Sequence, residues 1–552
     1  MIYDVVIVGG GSAGCTLATR LSEDPKRSVL LLEAGPDYTD LEQLPDELKY
    51  GYRQEAADIE SPFNWAYRGQ GTPEQKVPMQ VARGKVIGGS GSVNGQVFLR
   101  GVPEDYDEWA AEGNDEWSFV NLLPFFRKLE TDLNVRDDFH GTNGPIPVWR
   151  LPREEFLPVN EAFHQATVAA GFPEDPDMNN PDSTGTGAIP MNNPGGIRMS
   201  ASLSYLNPNR HRLNLTIKAD VLAHRVMFDG DRAVGVEVES GGEKFTVEGS
   251  EIILCAGGIA TPQLLLHSGV GPAGHLRDMG IQVVKDVPGV GQNLRDHPLV
   301  NIELEPKDGV KLATIEPRIQ SGLRYTAEGS NSRNDMQAFP SSFTGLRAGD
   351  PLQGQSPDRS QGLRITCILK LADSAGELKL NSADPSVPPR LEYRYFETEW
   401  DRVRMREAIH LSLRFLEHPA FGPLVERRLS PTEADVATDD ALDAWLRQNV
   451  ATTQHTSGTC KMGPESDPMA VVDQYCRVRG LQNLRVVDLS ICPNVVRANT
   501  NATAIVIAER AAGWISYRPL FAPGGSTAFE ARTFRGNSLP VAPLVALQGP
   551  HH

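Results

Sequence analysis

The sequence predicts an α/β fold, α+β overall once the later strands are counted. Three features near the start of the chain predict it. Residues 4–8 form a short β-branched run next to glycines, which is typical of a buried parallel strand, and residues 29–32 form a second such run. Between them, residues 12–22 have the pattern of a helix. The chain therefore opens on a β–α–β unit.

The middle of the chain alternates between irregular segments and β-patterns. Residues 36–80 are rich in Asp, Glu, Pro and Tyr without clear periodicity, so we expect a long excursion from the sheet. Residues 214–254 contain two or three alternating β-runs, with a hairpin turn at 229–231. Residues 306–362 are polar and rich in Gly, Ser, Pro and Arg, which predicts a loop or lid.

The last part of the chain is predicted to be helical before an irregular tail. Residues 399–418 and 433–449 have helical patterns. Residues after about 517 carry Pro, Gly and Ala without periodicity, so we expect a wrapped or mobile extension. We interpret the terminal His551 and His552 as part of this tail and not as a metal site.

Size and charge limit the classes of protein. The chain has 552 residues, whereas single cores stop growing near about 250–300 residues, which predicts two domains or one elaborated domain. The 53 basic and 71 acidic residues give a net charge of −18, which disfavours nucleic acid and anionic membranes as partners. The six cysteines are scattered without ligand spacing, so we expect reduced thiols and no metal.

No targeting or membrane segment is predicted. The chain enters a strand-like run directly after its first residues, which leaves no room for a signal peptide. No stretch approaches the roughly 20 apolar residues of a membrane helix. We therefore expect a cytoplasmic protein.

A glycine fingerprint predicts a dinucleotide site. Gly9, Gly11 and Gly14 lie between the first strand and the helix with the spacing Gly-x-Gly-x-x-Gly, where the turn, the approach of backbone to a pyrophosphate and the packing of helix on strand each favour glycine. Glu33 ends the second strand, where a carboxylate can accept from ribose hydroxyls and disfavours a 2′-phosphate. These residues make NADP a poor candidate but do not separate NAD from FAD.

Further segments separate them. They are residues 84–94 (GKVIGGSGSVN) with Phe98, Gly101 and Asp107, then 257–271 (GGIATPQLLLHSGVG), 288–297 (PGVGQNLRDH), 455–463 (HTSGTCKMG), 486–488 (VVD) and 499–501 (NTN). In this order the segments resemble the signatures of the glucose–methanol–choline (GMC) oxidoreductase family, over about residues 2–515. The sequence departs from the family pattern at Gly258, where the family usually has another small residue.

The resemblance implies a fold and a domain division. It implies a Rossmann-like FAD-binding domain with an inserted antiparallel-sheet substrate domain. We assign residues 1–150, 211–305 and 451–516 to the FAD domain, and residues 151–210 and 306–450 to the substrate domain. Residues 517–552 form the extension.

The resemblance also implies the residues that hold FAD. Asn94 is expected at the reacting edge of the flavin, the Val221 backbone at the adenine, and Asp488 at ribityl or pyrophosphate-linked groups. Because relatives that link FAD covalently carry His where this chain has Val93, we expect non-covalent FAD. The full predicted set is Gly9, Gly11, Ser12, Ala13, Gly14, Glu33, Ala34, Arg83, Val86, Gly88, Gly89, Ser90, Asn94, Gly95, Val221, Ala256, Gly257, Asp488, Asn499, Asn501 and Ala502.

His455 and Asn499 match the catalytic pair of the family. A histidine with an ordinary pKa near about 6.5 can take the proton of an alcohol at neutral pH, which prepares the neighbouring C–H bond for hydride transfer to flavin N5. Asn499 is expected to hold the substrate oxygen. We interpret His297, next to Asp296, as bracing the FAD domain rather than as a second base.

The predicted activity is oxidation of an uncharged primary alcohol, with benzylic and furanic alcohols as candidates, by FAD. Other classes stay open: a non-redox lyase or photochemical decarboxylase on the same scaffold, and a non-enzymatic FAD binder, which the retention of His455 and Asn499 disfavours. A choline-type dehydrogenase or oxidase is a further alternative. Glu305 falls where the resemblance places a carboxylate for the trimethylammonium group, but Gln454 replaces an aromatic residue and residues 306–362 contain no Trp. Oxygen, a quinone and another acceptor stay open for the electrons, and so does the oligomeric state.

Overall fold

A computed structural model of the chain describes residues 2–53, 55–344 and 361–516. Part of the predicted lid, residues 345–360, and the predicted extension, residues 517–552, lie outside the described residues.

The bounds of the elements are as follows. The strands are β1 (Tyr3–Val8), β2 (Val29–Leu32), β3 (Tyr67–Gly69), β4 (Met79–Val81), β5 (Glu130–Asp132), β6 (Ile146–Val148), β7 (Gly185–Ala188), β8 (Leu215–Lys218), β9 (Leu222–Asp229), β10 (Arg232–Ser240), β11 (Glu243–Leu254), β12 (Val270–Gly271), β13 (Lys285–Asp286), β14 (Pro298–Pro306), β15 (Ser321–Tyr325), β16 (Met336–Thr344), β17 (Gln361–Leu369), β18 (Glu377–Lys379), β19 (Arg390–Glu392), β20 (Val425–Ser430), β21 (Ala451–Thr452) and β22 (Leu484–Val486). The helices are α1 (Ser12–Leu21), α2 (Asp46–Lys49), α3 (Pro103–Ala111), α4 (Phe119–Leu129), α5 (Pro158–Ala169), α6 (Gly257–His267), α7 (Ala273–Asp278), α8 (Glu399–Leu416), α9 (Asp439–Asn449) and α10 (Asn501–Ser516).

The first sheet is parallel in the order β8-β2-β1-β11, with β22 on the outer side of β11. Its central strands are almost wholly apolar and buried, as expected for a sheet covered on both faces. The amino-terminal half of β11 leaves this sheet and pairs with β10, which pairs with β9 through the turn after Asp229. The predicted β–α–β opening, the strands in 214–254 and the hairpin turn are thereby confirmed.

The second sheet is antiparallel, in the order β20-β14-β17-β16-β15-β7, with β21 paired to β14. Helices α5 and α8 pack against its strands. The mixed α/β class with a parallel sheet and an antiparallel sheet agrees with the predicted fold.

The prediction of a loop or lid at 306–362 is wrong in part, because β15 and β16 both lie within it. Every residue of β15 is buried although the strand contains an arginine. Arg324 donates to the Met178 carbonyl at 2.7 Å, an acceptor supplied by a segment far away in sequence. A polar residue whose hydrogen-bond partner is distant in sequence is taken for a solvent-exposed residue, so the sequence does not show the buried strand that contains it.

The predicted division into two domains stays a prediction. The two sheets follow it in outline, since β7 and β15 to β20 fall in the segments assigned to the substrate domain. In detail, β14 and β21 pair in the antiparallel sheet, although residues 298–305 and 451–452 were assigned to the FAD domain.

The end of the described chain returns to its beginning. Helix α10 packs against α1 and α4, and its Glu509 is buried where it accepts from Arg20 and from the Tyr205 hydroxyl. Within residues 2–53, 55–344 and 361–516, no helix has both the length and the apolar character needed to cross a bilayer.

Candidate active site

A cavity of about 800 Å³ lies where the two sheets face each other. On one side it is lined by the carboxyl ends of β1, β2 and β11 and the first turns of α1 and α6. This is the edge of a parallel sheet at which nucleotides bind in such folds. On the other side it is lined by Leu299 and Asn301 of β14, Phe339 of β16 and Ile368 of β17.

The turn between β1 and α1 leaves room for the pyrophosphate of a dinucleotide to approach its backbone. Gly9 has φ +102°, and a Cβ there would lie 2.7 Å from the Cys255 carbonyl oxygen. A Cβ on Gly11 would meet nothing closer than Gly89 Cα at 3.9 Å, so this position faces the cavity. A Cβ on Gly14 would lie 1.9 Å from the Gly9 oxygen, so Gly14 serves the packing of helix on strand. The N-terminus of α1 thus presents backbone amides to the cavity, as a pyrophosphate requires.

Glu33 lies at the end of β2 and lines the cavity. Its carboxylate accepts from the Gly10 amide at 2.8 Å and from the Gly35 amide at 2.9 Å, which fixes its orientation. Burial raises the pKa of this carboxyl from 4.5 to about 7, and the amide hydrogen bonds oppose the shift. The group is therefore held rigidly where a ribose is predicted.

Asp488 fixes a second close approach, at the start of α6. Its Oδ2 accepts from the Gly257 amide at 2.8 Å and from the Thr261 hydroxyl at 2.6 Å, and its Oδ1 accepts from the Ser490 amide at 2.8 Å. A Cβ on Gly257 would meet nothing within 4 Å, so this glycine also faces the cavity. Asp488 holds the glycine segment in place in addition to lining the cavity itself.

The segment 88–95 lies beside the turn between β1 and α1, where the Gly88 amide donates to the Gly10 carbonyl at 2.7 Å. The Ser12 hydroxyl at the start of α1 donates to Asn501 Oδ1 at 2.7 Å, which joins the first turns of α1 and α10 beside this segment. Asn94 Oδ1 accepts from the Gln96 amide at 3.0 Å, and the Asn94 carbonyl accepts from the buried Arg198 at 3.0 Å. These contacts hold Asn94 at the cavity wall.

His455 and Asn499, which are 44 residues apart, meet at the cavity. Asn499 Nδ2 lies 3.3 Å from His455 Nε2. Burial holds the pKa of His455 well below its ordinary value, and the positive charges of Lys370 and Arg83 act in the same direction. His455 is therefore a neutral base at pH 7, with its Nε2 at the cavity.

The other ring nitrogen of His455 faces His297. The two Nδ1 atoms are 2.9 Å apart, and Thr453 Oγ1 lies 2.8 Å from His455 Nδ1. Burial also lowers the pKa of His297. The interpretation of His297 as a brace for the FAD domain missed this contact, for which the only signal in the sequence was the match of residues 288–297 to the family.

Asp296 organises this group of side chains. Its Oδ1 accepts from the backbone amides of His297 and His455, both at 2.8 Å. Its Oδ2 accepts from the Tyr395 hydroxyl at 2.7 Å and from the Thr452 hydroxyl. One buried carboxylate thereby ties the loop that carries His455 to the start of β14.

Most of the predicted site residues line the cavity. They are Gly9, Gly11, Ser12, Ala13, Glu33, Ala34, Arg83, Gly89, Ser90, Asn94, Gly95, Val221, Ala256, Gly257, His455, Asp488, Asn499 and Asn501. The predicted residues that do not line it are Gly14, Val86, Gly88 and Ala502. Val86 packs with Leu48 and Phe63 in a small apolar cluster, and Ala502 is buried in the main core, so these two serve packing.

Comparison with known proteins assigns the chain to a family. Residues 3–299 match the N-terminal model of the family described as GMC oxidoreductase, and residues 372–508 match its C-terminal model. The chain belongs to the GMC oxidoreductase family. The resemblance seen in the sequence is confirmed.

Relatives match over nearly the whole length of this GMC oxidoreductase. An uncharacterized GMC-type oxidoreductase of Rhodococcus erythropolis is 38% identical over 508 residues, which is 92% of this chain and 97% of that protein. The mitochondrial choline dehydrogenase of Mus musculus is 38% identical over 541 residues, 94% of this chain and 90% of that protein. The crystal structure of pyridoxine 4-oxidase from Mesorbium loti superposes with a TM-score of 0.83 at 30% identity, covering 93% of this chain and 99% of that one.

As a GMC oxidoreductase, the protein is an FAD-dependent oxidoreductase. FAD fits the residues present, because the side-chain-free positions Gly11 and Gly257 face the cavity and the N-terminus of α1 offers amides to the pyrophosphate. Glu33 would hold the ribose end, and the segment at Asn94 would hold the flavin end. The choice between NAD and FAD, which the glycine fingerprint left open, is thus FAD.

A group of acids and a histidine lies away from the cavity. Glu130, Asp132 and His140 place ligand atoms close together. The carboxylate of Asp132 already accepts two hydrogen bonds from Arg150, and Glu130 is paired with Arg100 at 2.5 Å. The two carboxylates that could bind a cation are thus already paired with arginines. The expectation of no metal stays a prediction.

Proposed function

We propose that this GMC oxidoreductase oxidises an uncharged primary alcohol to the aldehyde. The observation that carries the proposal is the neutral His455, whose Nε2 lies at the cavity within 3.3 Å of the Asn499 amide. A base and a hydrogen-bond donor at one point are what the oxygen of an alcohol needs.

The chain contributes orientation and a proton acceptor. The bound FAD supplies the acceptor for the hydride from the carbon that carries the hydroxyl. His455 Nε2 accepts the hydroxyl proton, and Asn499 Nδ2 donates to the oxygen as negative charge develops on it. Arg83 adds positive charge on the same side, since it lowers the pKa of His455.

The wall opposite the nucleotide favours an uncharged substrate. It presents the apolar Leu299, Phe339 and Ile368, the amides of Asn301 and Gln337, and the guanidinium of Arg364, whose charge is paired with Glu303. The carboxylates that line the cavity are Glu33, Asp58 and Asp488, and within the described residues none comes from the antiparallel sheet. A cationic substrate would therefore lose its hydration without gaining a counter-ion from this wall.

Choline is the second candidate, because several relatives of this chain are named choline dehydrogenases. Two features of the structure argue against it. Glu305, the acid that favoured choline in the sequence, is 42% exposed, pairs with Arg427 and does not line the cavity. Trp65 lines the cavity, but Lys85 Nζ already lies 5.0 Å from the centre of its ring. A quaternary ammonium prefers an aromatic face that no other cation occupies.

An anaerobic panel tests the proposal. The holoenzyme is mixed with benzyl alcohol, 5-hydroxymethylfurfural, pyridoxine and choline at equal concentrations, and bleaching of the flavin absorbance is followed. We expect an uncharged alcohol to reduce the flavin faster than choline. Faster reduction by choline would refute the uncharged class, and no bleaching with any alcohol would favour the lyase alternative.

The same enzyme preparation also tests which compound accepts the electrons of the reduced flavin. We propose oxygen or a quinone-like acceptor, and a reduced sample divided between air and an artificial quinone distinguishes them by the rate at which the yellow colour returns. Rapid return in air identifies an oxidase. Rapid return only with the quinone identifies a dehydrogenase.

A further inference from the structure

The imidazole rings of His297 and His455 face each other through their Nδ1 atoms. His297 Nδ1 and His455 Nδ1 are 2.9 Å apart, although the residues are 158 positions apart in sequence. Such a contact is a hydrogen bond only if one of the two nitrogens carries a proton and the other does not. The direction of this bond therefore decides which nitrogen of His455 is free to act as a base.

The far side of His297 decides the direction. His297 Nε2 lies 2.9 Å from the Val496 carbonyl oxygen, which can only accept, so Nε2 must carry a proton. His297 is wholly buried beside Lys370, and burial and that charge lower its pKa, so the ring is neutral and has one proton only. His297 Nδ1 is then an acceptor, and His455 Nδ1 must be the donor.

Thr453 supports the same assignment. Its hydroxyl lies 3.1 Å from the His297 carbonyl and 3.2 Å from Asp296 Oδ1, two groups that can only accept. The hydroxyl proton is directed to one of them, and the Thr453 oxygen lone pair is left to face His455 Nδ1 at 2.8 Å. Both neighbours of His455 Nδ1 are thus acceptors.

We propose that His297 is a positioning residue that holds His455 in the tautomer with the proton on Nδ1 and the lone pair on Nε2. This inference rests on the proposed role of His455 as the base. In that tautomer Nε2 can take the hydroxyl proton of the substrate without a prior change of tautomer, once the Asn499 amide donates to the substrate oxygen instead of to Nε2. The proton passes from the alcohol oxygen to Nε2, His455 becomes an imidazolium, and its Nδ1–H stays donated to His297.

The donor at the cavity agrees with this tautomer. Asn499 Nδ2 lies 3.3 Å from His455 Nε2, and an amide N–H needs a lone pair to donate to. The opposite tautomer would set two lone pairs against each other either between the rings or between His297 Nε2 and the Val496 oxygen. The arrangement is analogous to ligand-holding histidines, in which the bond made by one ring nitrogen fixes the state of the other.

Two substitutions separate this role from packing. His297→Leu keeps about the volume of the ring and removes the acceptor, whereas His297→Asn leaves a cavity but keeps an acceptor oxygen near the position of Nδ1. In a serine protease triad, a histidine held in the wrong tautomer lowers kcat by about 10⁴. Because Thr453 remains as an acceptor here, we expect a smaller loss of the flavin reduction rate, about 10- to 100-fold, in His297→Leu. His297→Asn should recover most of the rate.

Anaerobic flavin reduction by the best alcohol of the panel measures the effect. His164→Leu is the matched control, because it removes a buried histidine of α5 that does not line the cavity. If packing alone matters, His297→Leu will be faster than His297→Asn, and that order would overturn the inference. Wild-type rates in both variants would overturn it as well.

A spectroscopic measurement on the wild-type holoenzyme covers the case in which the variants do not fold. Histidine labelled with ¹⁵N in the rings gives two-bond proton–nitrogen correlations that distinguish the tautomers, and the His455 signal is the one lost in His455→Gln. We expect a protonated Nδ1 and an unprotonated Nε2. The reverse pattern would refute the inference even if His455 is the base, whereas a fully active His455→Gln would refute the proposed function instead.

Discussion

Removal of the base, His455→Ala, tests the centre of the proposed mechanism. General-base catalysis contributes about 10²–10⁴ to a rate. The structure places the loss in the upper half of this range, about 10³–10⁴, because the groups that remain cannot replace the imidazole. Asn499 and Thr453 are not basic, and His297 does not line the cavity, because its Nδ1 lies behind the His455 ring, 2.9 Å from His455 Nδ1.

The FAD should stay bound in His455→Ala. Its predicted contacts come from the turn after β1, from Glu33, from the segment at Asn94 and from the start of α6, and none of these depends on the imidazole. We therefore expect a folded, yellow protein whose chemistry alone is impaired. A fall in the ratio of flavin to protein absorbance would show that the residue holds the cofactor.

Stopped-flow reduction under anaerobic conditions provides the assay. The rate constant at saturating alcohol should fall by the stated factor, and it should partly recover at high pH, where some alcohol is already alkoxide and needs no base. The control is His164→Ala, in which the buried histidine lies outside the cavity. Reduction of His455→Ala at the wild-type rate would refute the mechanism.

Three further predictions concern pH, the glycine turn and the flavin linkage. Because burial holds the pKa of His455 well below its ordinary value, the imidazole is neutral at neutral pH. We therefore expect kcat/KM to be constant above about pH 6.5 and to fall only when the pH is lowered through the shifted pKa. A kcat/KM that already falls as the pH is lowered towards 7 would contradict this. Gly9→Ala places a Cβ 2.7 Å from the Cys255 oxygen at φ +102°, where strain costs about 1–3 kcal/mol, so Tm and FAD content should both fall. The control is Gly513→Ala in α10, whose Cβ meets nothing within 4 Å; because alanine favours a helix over glycine, its Tm should rise slightly and its FAD content should stay unchanged. Because Val93 offers no nucleophile for a flavin link, acid precipitation should release the yellow colour into the supernatant, and colour retained in the pellet would disprove non-covalent binding.

Local patterns were sufficient for the elements that carry the cofactor. The β-branched runs at 4–8 and 29–32 and the glycines between them predicted strand, turn and helix, because a buried parallel strand needs apolar residues throughout and a tight turn needs glycine. The carboxylate of Glu33 was placed by the same short stretch. The pairing of His455 with Asn499 was available only from the resemblance, because nothing local joins residues 44 positions apart.

The tertiary structure decided what depends on partners far away in sequence. Residues 306–362 are rich in Gly, Ser, Pro and Arg and so predict a loop, whereas in the structure the distant Met178 carbonyl accepts from Arg324 and allows it to lie in a buried strand, which the pattern cannot show. Glu305 looked like a ligand for a cation, but the pairing of β14 with β20 places it at an exposed strand end beside Arg427. His297 looked like a brace, and only folding brings it to 2.9 Å from His455. A sequence states the chemistry of each side chain, but the partner that sets its charge, tautomer and exposure is chosen when distant segments pack together.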